Sequence, residues 1–201
     1  MQRDTTRNPG PAGFTFIEIM IVVGIIVIVS AIGLPRMTTA IANMKLRSSM
    51  TSVSSFLQNV RMLAIKNNRT TTAKHYNREQ APRSLVFYAK DATDGGGPVT
   101  TDSQVEMEAP INPYDAPTGP GAPAVIANSA LGLLSDPQTG DPSFNSRGLP
   151  CAYSGGACAN VAFIKYFKDD RISGNGGWAA ISITPAGRIK RWFWNGSSWI
   201  D

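Results

Sequence analysis

Residues Phe14 to Leu34, "FTFIEIMIVVGIIVIVSAIGL", form an apolar run in which Glu18 is the only ionisable side chain. A membrane span needs about 20 such residues, and this run supplies them. A carboxylate within hydrocarbon costs about 2.5–3.5 kcal/mol on insertion scales, and somewhat less near an end. A charge kept at that cost has a partner as a rule, yet the span contains no cation.

The thirteen residues before the span, "MQRDTTRNPGPAG", are polar and weakly basic, with nothing that would pack. They read as a cytoplasmic leader at residues 1–13. Arg3 and Arg7 place that end inside by the positive-inside rule and the rest of the chain outside. A secretory signal cleaved after a small residue such as Ala31 is one competitor, but its apolar region would be unusually long. A plain signal anchor is the other. Neither accounts for Glu18.

Beyond the span the pattern stays helical. Met37, Ile41, Met44, Val53, Phe56, Leu57, Val60, Leu63 and Ala64 recur at intervals of three and four, with a polar gap around Ser48 and Ser49. They are read as one apolar stripe, with Arg36, Lys45, Arg47, Arg61 and Lys66 opposite. Residues 14–35 as a transmembrane half and 36–70 as an amphipathic half predict a single helix of about fifty residues, roughly 75–80 Å long. Pro35, which lacks an amide, is expected to kink or loosen it.

The remainder, 71–201, reads as a β-rich globular head. "SLVFYAKD", "NVAFIKYFK", "GWAAISITP" and "GRIKRWFWNG" are strand-like, and "DDRISGNGGW" and "TPAGR" look like hairpin connections. The expected fold class is α+β, a long N-terminal helix packed on a C-terminal antiparallel β-sheet head. Residues 91–142 hold eight Asp or Glu and eight prolines with no Lys or Arg, and read as a long solvated loop with a short ordered piece at "SQVEME". Residues 14–90 carry ten Lys or Arg against Glu18 and Glu79, so charge is segregated along the chain. A uniformly basic nucleic-acid-binding domain would not look like this.

Cys151 and Cys158 enclose a short loop, "CAYSGGAC", for which a disulfide is geometrically plausible in an oxidising compartment. Two free thiols in a reducing compartment are the other reading. The spacing fits no common zinc pattern, and His75, the single histidine, is distant and reads as a surface residue. No GxSxG or HExxH motif occurs, so an enzyme is not expected, nor is a cofactor or metal.

A polar leader ending in glycine, then "FTFIE" and a span, resembles the type IV prepilin signal shared by type IV pilins and type II secretion pseudopilins. The resemblance implies cleavage by prepilin peptidase between Gly13 and Phe14, with Phe14 as an N-methylated terminus. It makes Glu18 the carboxylate that pairs with the terminal amine of a neighbouring subunit, favouring one register between helices. "FNSRGLPC" and "GWAAISITPAGRIKRWFWNG" look like the FimT/FimU minor pilins and the H-type pseudopilins. The implied function is a minor, initiating or tip-located subunit of a pilus or pseudopilus. It would be held in the bacterial inner membrane by a single pass, with its N-terminus cytoplasmic and its head periplasmic. Other pilin subunits, prepilin peptidase, the assembly platform and membrane lipid would be its partners.

The alternative is a DNA-binding minor pilin. In an extended strand Arg188, Lys190, Trp192 and Trp194 share one face, with Ile189, Arg191 and Phe193 on the other. A basic and aromatic face would hold phosphates and stack bases. Some FimT-like pilins use a Gly-Arg-x-Arg segment here. Gly187 and Arg188 match it, whereas Lys190 keeps the charge without the guanidinium fork. The competing role for these residues is packing, with tryptophans in the core and cations along its rim.

Overall fold

The computed structural model describes residues 13–78, 84–107 and 110–201. The leader apart from Gly13 lies outside the described residues, as does Glu79. The chain divides after Ala40 into two compact units. One helix, α1 (Phe16–Asn67), contributes to each.

α1 begins where Thr15 Oγ1 accepts the Glu18 amide at 3.3 Å, a Thr-x-x-Glu start in which the cap satisfies an otherwise orphan donor. It ends where Asn68 adopts φ 50°, and Arg69 N–H closes back on the Ala64 carbonyl at 3.1 Å. Its 52 residues agree with the length read from periodicity, and helix continues through position 35. In the first unit the apolar side chains from Phe16 to Ile32 stand exposed. None of the apolar window of this helix is buried, and it is long enough to cross a membrane.

In the second unit, residues 41–67 of α1 carry a buried stripe of Leu46, Met50, Val53, Phe56, Leu57, Val60 and Ala64. Met37, Ile41 and Met44, read from the sequence as part of that stripe, are exposed instead. The polar gap at Ser48 and Ser49 hides the phase: Ser49 is itself buried beside Leu46 and Met50, so the stripe enters from Ala42 and Leu46 rather than from the methionines.

The antiparallel β-sheet head expected from the sequence consists of two sheets that surround this stripe. The strands of the first are β1 (Thr71–Asn77), β2 (Leu85–Asp91), β3 (Gln104–Met107), β5 (Ser143–Phe144), β6 (Pro150–Ser154) and β7 (Ala157–Asn160). They are ordered β3–β2–β1–β5–β6–β7. The strands of the second are β4 (Ile111–Tyr114), β8 (Phe163–Asp169), β9 (Trp178–Ile183), β10 (Ile189–Trp194) and β11 (Trp199–Ile200). Their order is β11–β10–β9–β8–β4. Pro113 is tolerated because β4 is an edge strand. The main core combines the helix stripe with Leu85, Phe87 and Met107 of the first sheet and Phe163, Phe167 and Ile181 of the second.

The acidic segment is not simply a solvated loop. It contains β3, β4 and a short helix α2 (Asn128–Leu131), and Ile126 and Leu131 cover the far face of the second sheet. There they meet Ile164, Tyr166, Trp178, Ala180 and Trp192 in a second core. Both faces of β9 are therefore covered, which is why "WAAISI" is buried at every position.

Candidate functional site

Glu18 lies in the first turn of α1, near the positive end of the helix dipole. Among the described residues no cation pairs with its carboxylate. Gly13 and Phe14 precede the helix in non-helical conformation, and Phe14 is exposed. The Thr15 cap is a role that the charge of Glu18 obscures in the sequence; the Thr-x-x-Glu spacing is the signal that marks it.

Cys151 and Cys158 form a disulfide with Cα atoms 5.2 Å apart. It ties together the β6–β7 hairpin, whose turn is made by Gly155 and Gly156, both at positive φ. Cys151 is fully buried.

On β10 the alternation of faces is as the sequence implies, but the aromatic face points into the second core. Trp192 is buried, with Nε1 donating to Ser182 Oγ at 2.9 Å. Trp194 packs edge-on to Trp199 at 5.6 Å, and Trp199 Nε1 donates to the Ala124 carbonyl. Lys190 lies over the Trp192 ring at 4.8 Å and pairs with Asp201 at 2.5 Å. That hydrogen bond holds the Asp201 carboxyl below its ordinary range. Arg188 is exposed, and its amide donates to Thr184 Oγ1. Arg191 lies on the opposite face, where Nη1 donates to Thr51 Oγ1 of α1 at 2.7 Å. Of the five residues named for nucleic-acid binding, Arg188, Lys190, Trp192 and Trp194 thus share the face turned to the second core and Arg191 the α1 side, the division that strand alternation implies.

Besides its strand pairing and core residues, the acidic segment contacts the head through several of its own carboxylates. Asp91 pairs with Arg69, Asp94 and Asp102 with Lys90, Glu106 with Arg78, and Asp115 with Lys165. His75 is half-buried rather than freely exposed, with Nδ1 2.5 Å from Asp141 Oδ1 and its ring against Phe87. The bond with Asp94 raises the Lys90 ammonium above its usual range. Hydrogen bonds from Thr93 lower Asp91, and the Gly96 amide, followed by Lys90, lowers Asp94. Among the described residues no group of three or more His, Cys, Asp or Glu is placed to hold a metal ion.

No protein-family model, curated protein or solved structure matches this chain.

Proposed function

We propose that the chain is a minor structural subunit of a type IV pilus or a type II secretion pseudopilus, anchored in the inner membrane by residues 14–35 and carrying a periplasmic head. The observation that carries this reading is an apolar helical stretch with no buried side chain, whose lone carboxylate sits in the first turn directly after Gly13–Phe14. Burial in lipid, and then among the helices of neighbouring subunits, satisfies the apolar surface. An amine at a processed Phe14 of a neighbour satisfies Glu18. The disulfide supports an oxidising location for the head.

The test is the mature terminus. The chain, purified from membranes after co-expression with a prepilin peptidase, is analysed by intact mass and N-terminal sequencing. The expected terminus is methylated Phe14; Met1, or a start just after Ala31, overturns the reading. Glu18→Ala is expected to abolish incorporation into filaments while leaving the head's circular dichroism unchanged. The DNA-binding alternative draws less support, because Trp192 is buried and Lys190 is paired with Asp201.

A further inference from the structure

The second unit leaves an ordered helix face uncovered. Ile41, Met44, Thr51, Ser55, Met62 and Ile65 are all exposed and fall at three- and four-residue heptad spacing, on the side away from the buried stripe. The seam is apolar at its two ends and small and polar in the middle, so a second helix could approach closely there. Arg47 and Arg61 occupy the same heptad position beside it, two heptads apart, and Arg191 of β10 reaches it at Thr51.

These guanidiniums are held by neutral partners. Arg47 stacks over the Phe193 ring at 4.5 Å, Arg191 donates to Thr51, and Arg61 Nη1 donates to the Gly187 carbonyl at 3.3 Å. Gly187 and Gly148 leave room for Arg61, since a Cβ at either would meet its side chain within 3.0–3.4 Å. Among the described residues none of the three arginines pairs with a carboxylate. Three oriented guanidiniums beside a helical seam are arranged to take carboxylates.

We infer that this seam docks an amphipathic helix of a different protein chain, one bearing carboxylates at the flanking heptad positions. The inference rests on the subunit reading and names the chemistry of a partner. A second copy does not fit: α1 has no Asp or Glu after Glu18, so two such seams would set arginine against arginine. The acidic segment of another copy is also ill-suited, because Asp91, Asp94, Glu106 and Asp115 are engaged by Arg69, Lys90, Arg78 and Lys165 of its own head. Exposed Met and Ile interleaved with arginine suit a protein surface better than a phosphodiester strand.

The test uses the full chain in neutral detergent and two synthetic amphipathic peptides with leucine seams, one flanked by glutamates and its twin by lysines. Anisotropy titrations are run at several salt concentrations, with a single-stranded oligonucleotide as the competing polyanion. The glutamate peptide is expected to bind, more weakly as salt rises, and the lysine twin not to bind. The triple variant Arg47→Gln, Arg61→Gln, Arg191→Gln should weaken binding by about tenfold, the scale for three exposed charge pairs. A charge-matched control, Arg69→Gln, Lys168→Gln, Arg188→Gln, should retain it, with folding of both variants checked by circular dichroism. Absence of glutamate-peptide binding, equal binding of the twin, or equal loss in the control overturns the inference. So does tighter oligonucleotide binding through the same arginines, or self-association that depends on them. The mature terminus is measured separately, so a correctly processed chain with a silent seam refutes only the docking inference.

Discussion

The Tyr166 hydroxyl accepts the backbone N–H of Ile126 at 3.0 Å in a buried position, so one side-chain oxygen ties the acidic segment to the second sheet. Tyr166→Phe removes that acceptor and leaves a buried amide unsatisfied, which costs about 1–3 kcal/mol. Denaturant unfolding of the full chain in detergent, followed by tryptophan fluorescence, should show a lower midpoint with an unchanged slope. Tyr114→Phe, which keeps its ring against Trp178, serves as the control and should leave the midpoint in place. Equal midpoints for Tyr166→Phe and the parent would show that the tie contributes nothing.

Burial pushes the Tyr166 hydroxyl above its ordinary range. A raised folded-state pKa means that the folded chain holds this proton more tightly than the unfolded one. The resulting stability is complete below the unfolded value, near pH 10, and is lost as pH rises through the folded value. Stability measured from pH 9 upward should therefore fall, and the fall should be shallower in Tyr166→Phe. Burial raises Tyr88 in the same way, so some slope will persist in that variant.

The sequence made visible those elements whose pattern depends on one neighbour. The helix length and strands β2, β8, β9 and β10 follow from period and apolar run, because each has a broad buried face, whereas the apolar stretch before Pro35 is legible from its run alone. β1 is "TTAKHYN", mostly polar, and becomes a strand through its neighbours β2 and β5 rather than through its own propensity. β4 is hidden by Pro113, and β5 and β11 span two residues each, too short for any period. The acidic segment misleads because its composition is that of a solvated loop. Yet Ile126 and Leu131 seal the second core, and Met107 and Ile111 join the main one. At the candidate sites, Glu18 stands out in the sequence as the lone ionisable residue of the apolar run. The arginine seam does not, since it needs β10 beside α1 before Arg191 joins Arg47 and Arg61.

Acid should loosen the segment between β2 and β3 before it unfolds the head. Asp91 and Asp94 have depressed folded-state pKa values, so their contribution is present above the unfolded value, near pH 4, and is lost as pH falls through the folded ones. Both lie near the surface, so the effect is local. The protection factors for amide hydrogen exchange at Ala92 and Asp94, whose N–H groups bond Thr70 and Asp91 carbonyls, should fall below pH 4 while those of β9 are kept. Simultaneous loss of protection in both places would contradict this order.

The disulfide closes a short ring, and loop-entropy reasoning assigns it about 2–3 kcal/mol. Cys151→Ser with Cys158→Ser should lower the denaturant midpoint accordingly, and reduction of the parent should lower it by a similar amount. A reductant that shifts the parent but not the double variant isolates the disulfide as the cause. An unshifted parent would mean that the hairpin is held by its β pairing alone.

Asp169, fully buried at the end of β8, closes the turn into β9 with both carboxylate oxygens on Arg171. Oδ1 accepts from the Arg171 amide at 3.0 Å and from Nε at 2.9 Å, and Oδ2 accepts from Nη2 at 2.6 Å. Gly177, at φ 73°, brings the chain back close enough for its carbonyl to take the Asp169 amide. Arg171→Ala leaves a buried carboxylate without its cation and should cost about 2–4 kcal/mol, below the fully buried range because the Arg171 side chain keeps 29% exposure. Removing both groups in Asp169→Ala/Arg171→Ala takes away the stranded charge, so the double variant should be more stable than Arg171→Ala alone. Denaturant midpoints for the two single variants and the double decide the matter. A double variant that merely sums the two losses would show that the turn is held by its backbone bonds and not by the pair.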